Sequence, residues 1–218
     1  MKEYEEFLVL LEAENKQKAV QYALDLLDSG KMDVQTLYTE ILAPALNKME
    51  CRLTDRSICI WKEHVRTAIV RTIVECCYPY VVKERDKIGP AQNKTVVVLC
   101  PPEEYHDLGA RMVADFFTLY GWDAVFVGSN TPYEDFYNAA KLIRPDIIAI
   151  SITNYYTLVA ARKIIGELKS LLGASVKIIV GGYAVREATG NFETLGADYR
   201  VETVEDILKI TGEAGDFR

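Results

Sequence analysis

The run Thr95-Val96-Val97-Val98-Leu99-Cys100 is short, rich in β-branched residues and free of polar alternation. A strand buried on both faces has this pattern, whereas alternation marks a strand with one wet face. Comparable runs recur at about 123–127, 146–151, 176–181 and 198–202, each followed by a helical pattern. Five such units in succession predict an α/β domain with a doubly wound parallel sheet, because parallel neighbours require crossovers and these are right-handed. Open sheets of this class bind ligands at the carboxyl ends of their strands. That places weight on the segment after the first run, where Pro101-Pro102 end the strand and Glu104-Tyr105-His106-Asp107-Leu108-Gly109 follow. A helix is predicted from about Ala110, with Met112, Val113, Phe116, Phe117 and Tyr120 as its apolar positions.

His106 is one of two histidines in the chain. A carboxylate two positions earlier, on Glu104, can fix the imidazole tautomer and raise its basicity, as it does for metal-bound histidines. Gly109 lets a bulky group approach the backbone. Alone, acid-x-His-x-x-Gly is weak; the later spacing strengthens it. From Gly109 to Ser151 there are 41 intervening residues, and from Thr153 to the pair Gly181-Gly182 there are 27. Both features end predicted strands. This arrangement resembles the cobalamin-binding signature, in which acid-x-His-x-x-Gly precedes Ser-x-Leu and then Gly-Gly. The resemblance implies that His106 replaces the cofactor's own base as the lower axial cobalt ligand. The displaced nucleotide tail would enter a slot lined by the serine and glycine motifs, with Tyr155, Tyr156 and Tyr183 as further candidates to line it or to pack on the sheet. Two departures stand out: Glu104 replaces aspartate, and Thr153 replaces leucine.

Residues 1–82 show helical patterns throughout and predict a four-helix bundle. Asn15 and Asp33 are candidate N-caps, and Gly30 closes the second helix. Pro44 predicts a kink, and Tyr78-Pro79 predicts the end of the fourth helix. Residues 83–93, charged and ending in Gly89-Pro90, are expected to form a linker to a domain spanning 94–218. Trp61, His64 and Ala68 share one helical face, which by itself fits a core or interface histidine. The stretches Ile41-Leu42-Ala43-Pro44-Ala45-Leu46 and Ser57-Ile58-Cys59-Ile60-Trp61-Lys62-Glu63-His64 resemble the helical cap of cobalamin-dependent light-sensing transcription regulators. Glu63 and His64 match that family's Glu-His pair, but Leu53 stands where its capping tryptophan belongs. The family's loop near the corrin also resembles Gly128-Ser129-Asn130-Thr131-Pro132, which equally fits a plain turn before a helix.

Composition removes several alternatives. With 25 basic and 32 acidic residues the formal charge is −7, and no basic cluster invites direct nucleic-acid binding. No apolar run is long enough to span a membrane, and the acidic start does not suit a signal peptide, so a cytoplasmic protein is expected. The five cysteines lack metal-ligand spacing and are expected as reduced core thiols. Neither a dinucleotide fingerprint nor a phosphate loop occurs, and two histidines in separate domains do not make a hydrolase triad or a zinc site. A standalone enzyme is therefore not expected. The resemblance implies a cobalamin-binding protein carrying an adenosyl-, methyl- or hydroxocobalamin. A sensor or regulatory module is favoured by Glu63-His64 and Glu104. Because the chain begins at the helical bundle, its output is expected to pass through a partner protein; a homo-oligomer is a separate option that the sequence leaves open. A corrinoid methyl carrier serving a separate methyltransferase is the alternative, favoured by the smaller apolar cap at Leu53.

Overall fold

The computed structural model describes residues 1–48, 57–88, 92–187 and 192–213. It divides into two compact units, Met1–Glu84 and Arg85–Arg218. Leu53 lies outside the described residues.

The first unit is helical. Helix α1 spans Lys2–Glu12 and α2 spans Lys16–Asp28, the latter capped by the Asn15 side chain, which accepts from the Lys18 N–H. Gly30 takes a positive φ of 68° just beyond α2. Asp33 caps α3 (Val34–Thr36) by accepting from the Thr36 N–H at 2.7 Å. A π-helical stretch, Leu37–Leu42, then leads into α4 (Ala43–Asn47). Pro44, in the first turn of α4, has no N–H to donate, and a π-type bond from the Ala43 N–H to the Tyr38 carbonyl immediately precedes it. The predicted distortion is thus a one-turn π-bulge rather than a break.

Helix α5 spans Cys59–Ile88, and here the structure corrects the sequence reading. It passes through Pro79 and is helical over most of the first half of the expected 83–93 linker. Proline in a helix interior costs about 3 kcal/mol, so the turns beyond it need anchors. Val74 and Cys77 before the proline and Val81 after it are all fully buried. The Tyr80 hydroxyl donates to Asp28 at 2.7 Å, and the Glu84 carboxylate accepts from the Val34 N–H. The thiols also differ from expectation. Cys59 is disulfide-bonded and Cys76 is exposed, whereas Cys77 and Cys100 are buried free thiols. Helical periodicity accounts for the contrast in α5: Ile73, Val74 and Cys77 face inward, and Cys76 falls on the outer side.

In the second unit, strands β1 (Thr95–Leu99), β2 (Asp123–Gly128), β3 (Ile147–Ser151), β4 (Lys177–Gly181) and β5 (Tyr199–Val201) form one parallel sheet in the order β2-β1-β3-β4-β5. Helices α6 (Leu108–Leu119), α7 (Tyr133–Ile143), α8 (Leu158–Leu172), α9 (Tyr183–Glu187) and α10 (Val204–Glu213) complete the α/β architecture. Val97, Leu99, Ile148, Ile150, Ile178 and Val180 lie in one buried cluster with Ile164, Ile165 and Leu168 of α8. The chain reverses direction across the sheet between β1 and β3, so the loops after these two strands diverge and leave a crevice between them.

Replacing Pro79 with alanine restores a donor toward the Glu75 carbonyl in a helix that is already formed on both sides. Pro79→Ala should therefore raise stability by about 1–2 kcal/mol. A thermal or denaturant melt checks the sign, and a loss of stability would refute this account of α5.

Candidate functional site

The crevice is organised by one carboxylate. Glu104, in the loop after β1, is fully buried. Its Oε1 accepts from the His106 backbone N–H at 3.1 Å and lies 2.7 Å from His106 Nδ1. Its Oε2 accepts from the N–H groups of Thr153 and Asn154 at 2.9 and 2.7 Å, and from the Thr157 hydroxyl at 3.4 Å. Both oxygens are thus engaged, one by each loop of the crevice. Burial by itself raises the Glu104 carboxyl; hydrogen bonds from the Asn154 N–H, the His106 ring, the His106 N–H and the Thr153 N–H overcome it, leaving the carboxyl below its ordinary value.

An ionised carboxylate only accepts, so the proton of a neutral His106 resides on Nδ1 and Nε2 keeps its lone pair. The side chain of His106 is 61% exposed although its carboxylate partner is not exposed at all. The result is a ring fixed at one nitrogen and offering the other outward. Among the described residues, no group of three or more His, Cys, Asp or Glu could hold a metal ion. One exposed imidazole nitrogen with a set tautomer supplies a single ligand, which suits a metal that brings its other ligands with it, as in a corrin ring. The donor set fits such a group.

The remaining motif residues surround this pair unequally. Asp107 precedes α6, and Leu108 and Gly109 form its first turn, two residues earlier than predicted. A Cβ placed on Gly109 would meet nothing within 4 Å, so space is open there. Tyr105 is exposed. Ser151 ends β3, pairing in register with Gly181. The two glycines are required by the protein's own backbone: a Cβ on Gly181 would lie 2.7 Å from the Val201 carbonyl oxygen, and one on Gly182 would lie 2.4 Å from that of Ile152. Gly182 also has a φ of 104°. Tyr183 begins α9, with its ring edge-on to Tyr155 at 6.2 Å between centroids. The loop 128–132 also approaches the motif, since the Asn130 side chain accepts from the Glu103 N–H. Burial, with the charges of Asp107 and Glu104, pushes the buried Cys100 thiol up to about 12.

Trp61, Glu63 and His64 belong to the other unit. All three are exposed on α5, with Trp61 at 69%, so His64 is not the core histidine that its helical spacing also allowed. Sequence reasoning missed Asn154 and Thr157 as partners of Glu104. Backbone and hydroxyl donors across a crevice carry no linear motif, and only the Glu-for-Asp departure hinted at a longer reach.

Two outcomes follow from this geometry. Gly182→Ala should destabilise the α/β unit by more than about 2 kcal/mol, as a denaturant melt would record, because strain at positive φ adds to a backbone clash. Because the Glu104 carboxyl is lowered on folding, its contribution is complete above the ordinary value of 4.5 and is lost as pH falls through the folded value. Acid titration of stability should show this loss, and Glu104→Gln should flatten that part of the curve; an unchanged slope would contradict the assignment.

Comparison with known proteins agrees with the geometry. The B12 binding domain family matches residues 94–209. The HTH-type transcriptional repressor CarA of Myxococcus xanthus is 26% identical over 182 residues, covering 82% of this chain and 58% of the repressor. Trimethylamine corrinoid protein 1 of Methanosarcina mazei is 30% identical over 132 residues, covering 59% of this chain and 60% of that protein. The chain thus spans less than two thirds of either relative. The monomethylamine corrinoid protein of Methanosarcina barkeri shares the fold, with a TM-score of 0.77, 16% identity and 98% of each chain covered. With a parallel sheet of this order, a histidine held at its switch point and a family match over more than half its length, the chain belongs to the B12-binding domain family, and its cofactor is cobalamin.

Proposed function

We propose that this protein holds cobalamin base-off, with His106 Nε2 as the lower axial cobalt ligand, and acts as a sensor or regulatory module through a partner protein. The observation that carries the reading is the Glu104–His106 pair, which fixes the proton on Nδ1 and leaves Nε2 exposed in the crevice between β1 and β3. Bound there, cobalamin supplies a cobalt centre whose upper ligand is exchangeable and whose cobalt–carbon bond responds to light. The protein's part is to bind and orient. Glu104 sets the tautomer of the imidazole and aims it, while the loops at Ser151–Thr153 and Gly181–Gly182 would receive the nucleotide tail, with Tyr155 and Tyr183 beside it. By their resemblance to the regulators' helical cap, Leu53, Trp61, Glu63 and His64 are the residues that would respond to the upper ligand, and its loss would be what the partner detects. His64, whose imidazole is exposed on α5, would be available as a further cobalt ligand once that upper ligand is lost. The match to the repressor supports this reading, because 182 aligned residues must reach beyond the 94–209 domain into the helical unit.

A second reading, a corrinoid methyl carrier for a separate methyltransferase, is supported by the 30% identity to a trimethylamine corrinoid protein and by the small residue at Leu53. There the same His106 ligation would serve a cobalt that alternates between methyl-loaded and reduced states.

Reconstitution in the dark with adenosyl-, methyl- and hydroxocobalamin, followed by illumination, separates the two. For the sensor, adenosylcobalamin is retained with a histidine-ligated spectrum, and light changes both spectrum and oligomeric state. His64→Ala should then alter the spectrum of the illuminated form. Tight binding of all three forms without a change in assembly would favour the carrier. His106→Ala should weaken retention by more than about tenfold; undiminished binding would overturn the ligand assignment, and failure of the wild type to retain any corrinoid would overturn both readings.

A further inference from the structure

Glu103 is held in a conformation that its side chain disfavours. Pro102 and Glu103 are the central residues of a turn that the Glu104 N–H closes by donating to the Pro101 carbonyl at 3.1 Å. Glu103, at the third position of that turn, takes a φ of 65°. Glycine is the residue that fits there, because a Cβ crowds the backbone at positive φ. Glu14 and Arg144 also have positive φ, but they follow the ends of α1 and α7, where one left-handed residue is a common way to stop a helix. Glu103 stops no helix. Its N–H donates to the Asn130 side chain at 3.5 Å, so the loop after β2 helps to hold it. Its carboxylate is exposed and, among the described residues, makes no hydrogen bond or ion pair. The side chain thus costs stability and returns none within the chain, a pattern that belongs to functional positions.

We infer that Glu103 is a specificity-determining residue, whose carboxylate accepts a hydrogen bond from a primary amide on the rim of the corrin and rejects a corrin that carries a carboxylate there. The residue stands at the carboxyl edge of the sheet, three positions before His106 and beside the loop 128–132. Burial, and then the charges of Glu103 and Glu167, raise the Tyr133 hydroxyl, so the Glu103 charge is felt at the start of α7. Glu134 and Asp135, both exposed in the first turn of that helix, add like charge. An ionised carboxylate only accepts, so the group that meets it must donate and must not be anionic. The neutral amides around a corrin meet both conditions, whereas a hydrolysed amide offers no donor and adds like-charge repulsion. This inference rests on cobalamin occupying the crevice and holds for the sensor and the carrier alike.

The test is equilibrium binding to the full chain of hydroxocobalamin and of its b-, d- and e-monocarboxylic acids, in each of which one peripheral propionamide is replaced by a carboxylate. At pH 7 the wild type should prefer the amide form over at least one of these acids by about tenfold or more, the effect of losing a charge-assisted hydrogen bond. Glu103→Gln, which keeps the size of the side chain and removes its charge, should bring that ratio to within about twofold. The spectrum of bound hydroxocobalamin should be the same in both proteins; a changed spectrum would assign the effect to His106 and overturn the inference. In the cofactor-free chain Glu103→Gly should raise the denaturant midpoint, because glycine relieves the positive φ; a lower midpoint would overturn the premise of strain. Equal binding of amide and acid by the wild type would overturn the inference alone, as would a preference that survives unchanged in Glu103→Gln. Failure of the wild type to bind hydroxocobalamin at all would overturn the cofactor assignment and the inference with it.

Discussion

A fully buried carboxylate is expensive unless every oxygen is satisfied, and the α/β unit is arranged around satisfying one. Glu104 accepts from two backbone N–H groups of one loop, one of another, an imidazole and a hydroxyl. The donors from Thr153, Asn154 and Thr157 are available only because β1 and β3 are neighbours in the sheet while their following loops part. The topology creates the crevice, the crevice allows burial, and burial makes the carboxylate–imidazole contact strong enough to fix a tautomer. Remove the strand order and the His106 ring loses the buried partner that sets its direction.

The glycine pair after β4 shows that a binding motif and a packing requirement can be the same residues. Val201 and Ile152 come so close to Gly181 and Gly182 that no side chain fits at either position. Whatever occupies the neighbouring slot is therefore met by bare backbone. The Ile152 N–H donates to the Gly181 carbonyl, and the Ala184 N–H donates back to Ile152, stitching the two loops together behind the crevice. The rigidity that positions His106 from one side is matched by rigidity on the other.

In the helical unit, tertiary contacts overrode local preference. Pro79 marks a stop by any local rule, yet α5 continues for nine more residues, to Ile88. Val81, Tyr80 and Glu84 hold the far side against the buried face, against Asp28 and against Val34. Pro44 shows the milder outcome, a π-type turn that absorbs the missing donor. The exposed indole of Trp61 and the exposed imidazole of His64 are two large groups that the first unit does not bury for its own stability.

Strand runs such as Val96–Leu99 and Ile147–Ile150 were legible in the linear sequence because burial on both faces leaves no alternation to confuse. The caps at Asn15 and Asp33 were legible because capping is local chemistry. Acid-x-His and its spacing to Ser151 and Gly181 marked the crevice, since βα units of regular length bring equivalent loops to one edge of a sheet. Other features were not legible. Whether α5 survives Pro79 depends on contacts with residues some 50 positions away, and the exposure of Cys76 depends on which side of a helix the bundle covers. That Glu104 would bridge two loops depends on distances of a few ångströms between segments that the sequence separates by about 50 residues. Local patterning determined the elements and the position of the histidine; only tertiary structure decided what holds its ring, because hydrogen bonds are short-ranged in space and indifferent to separation along the chain.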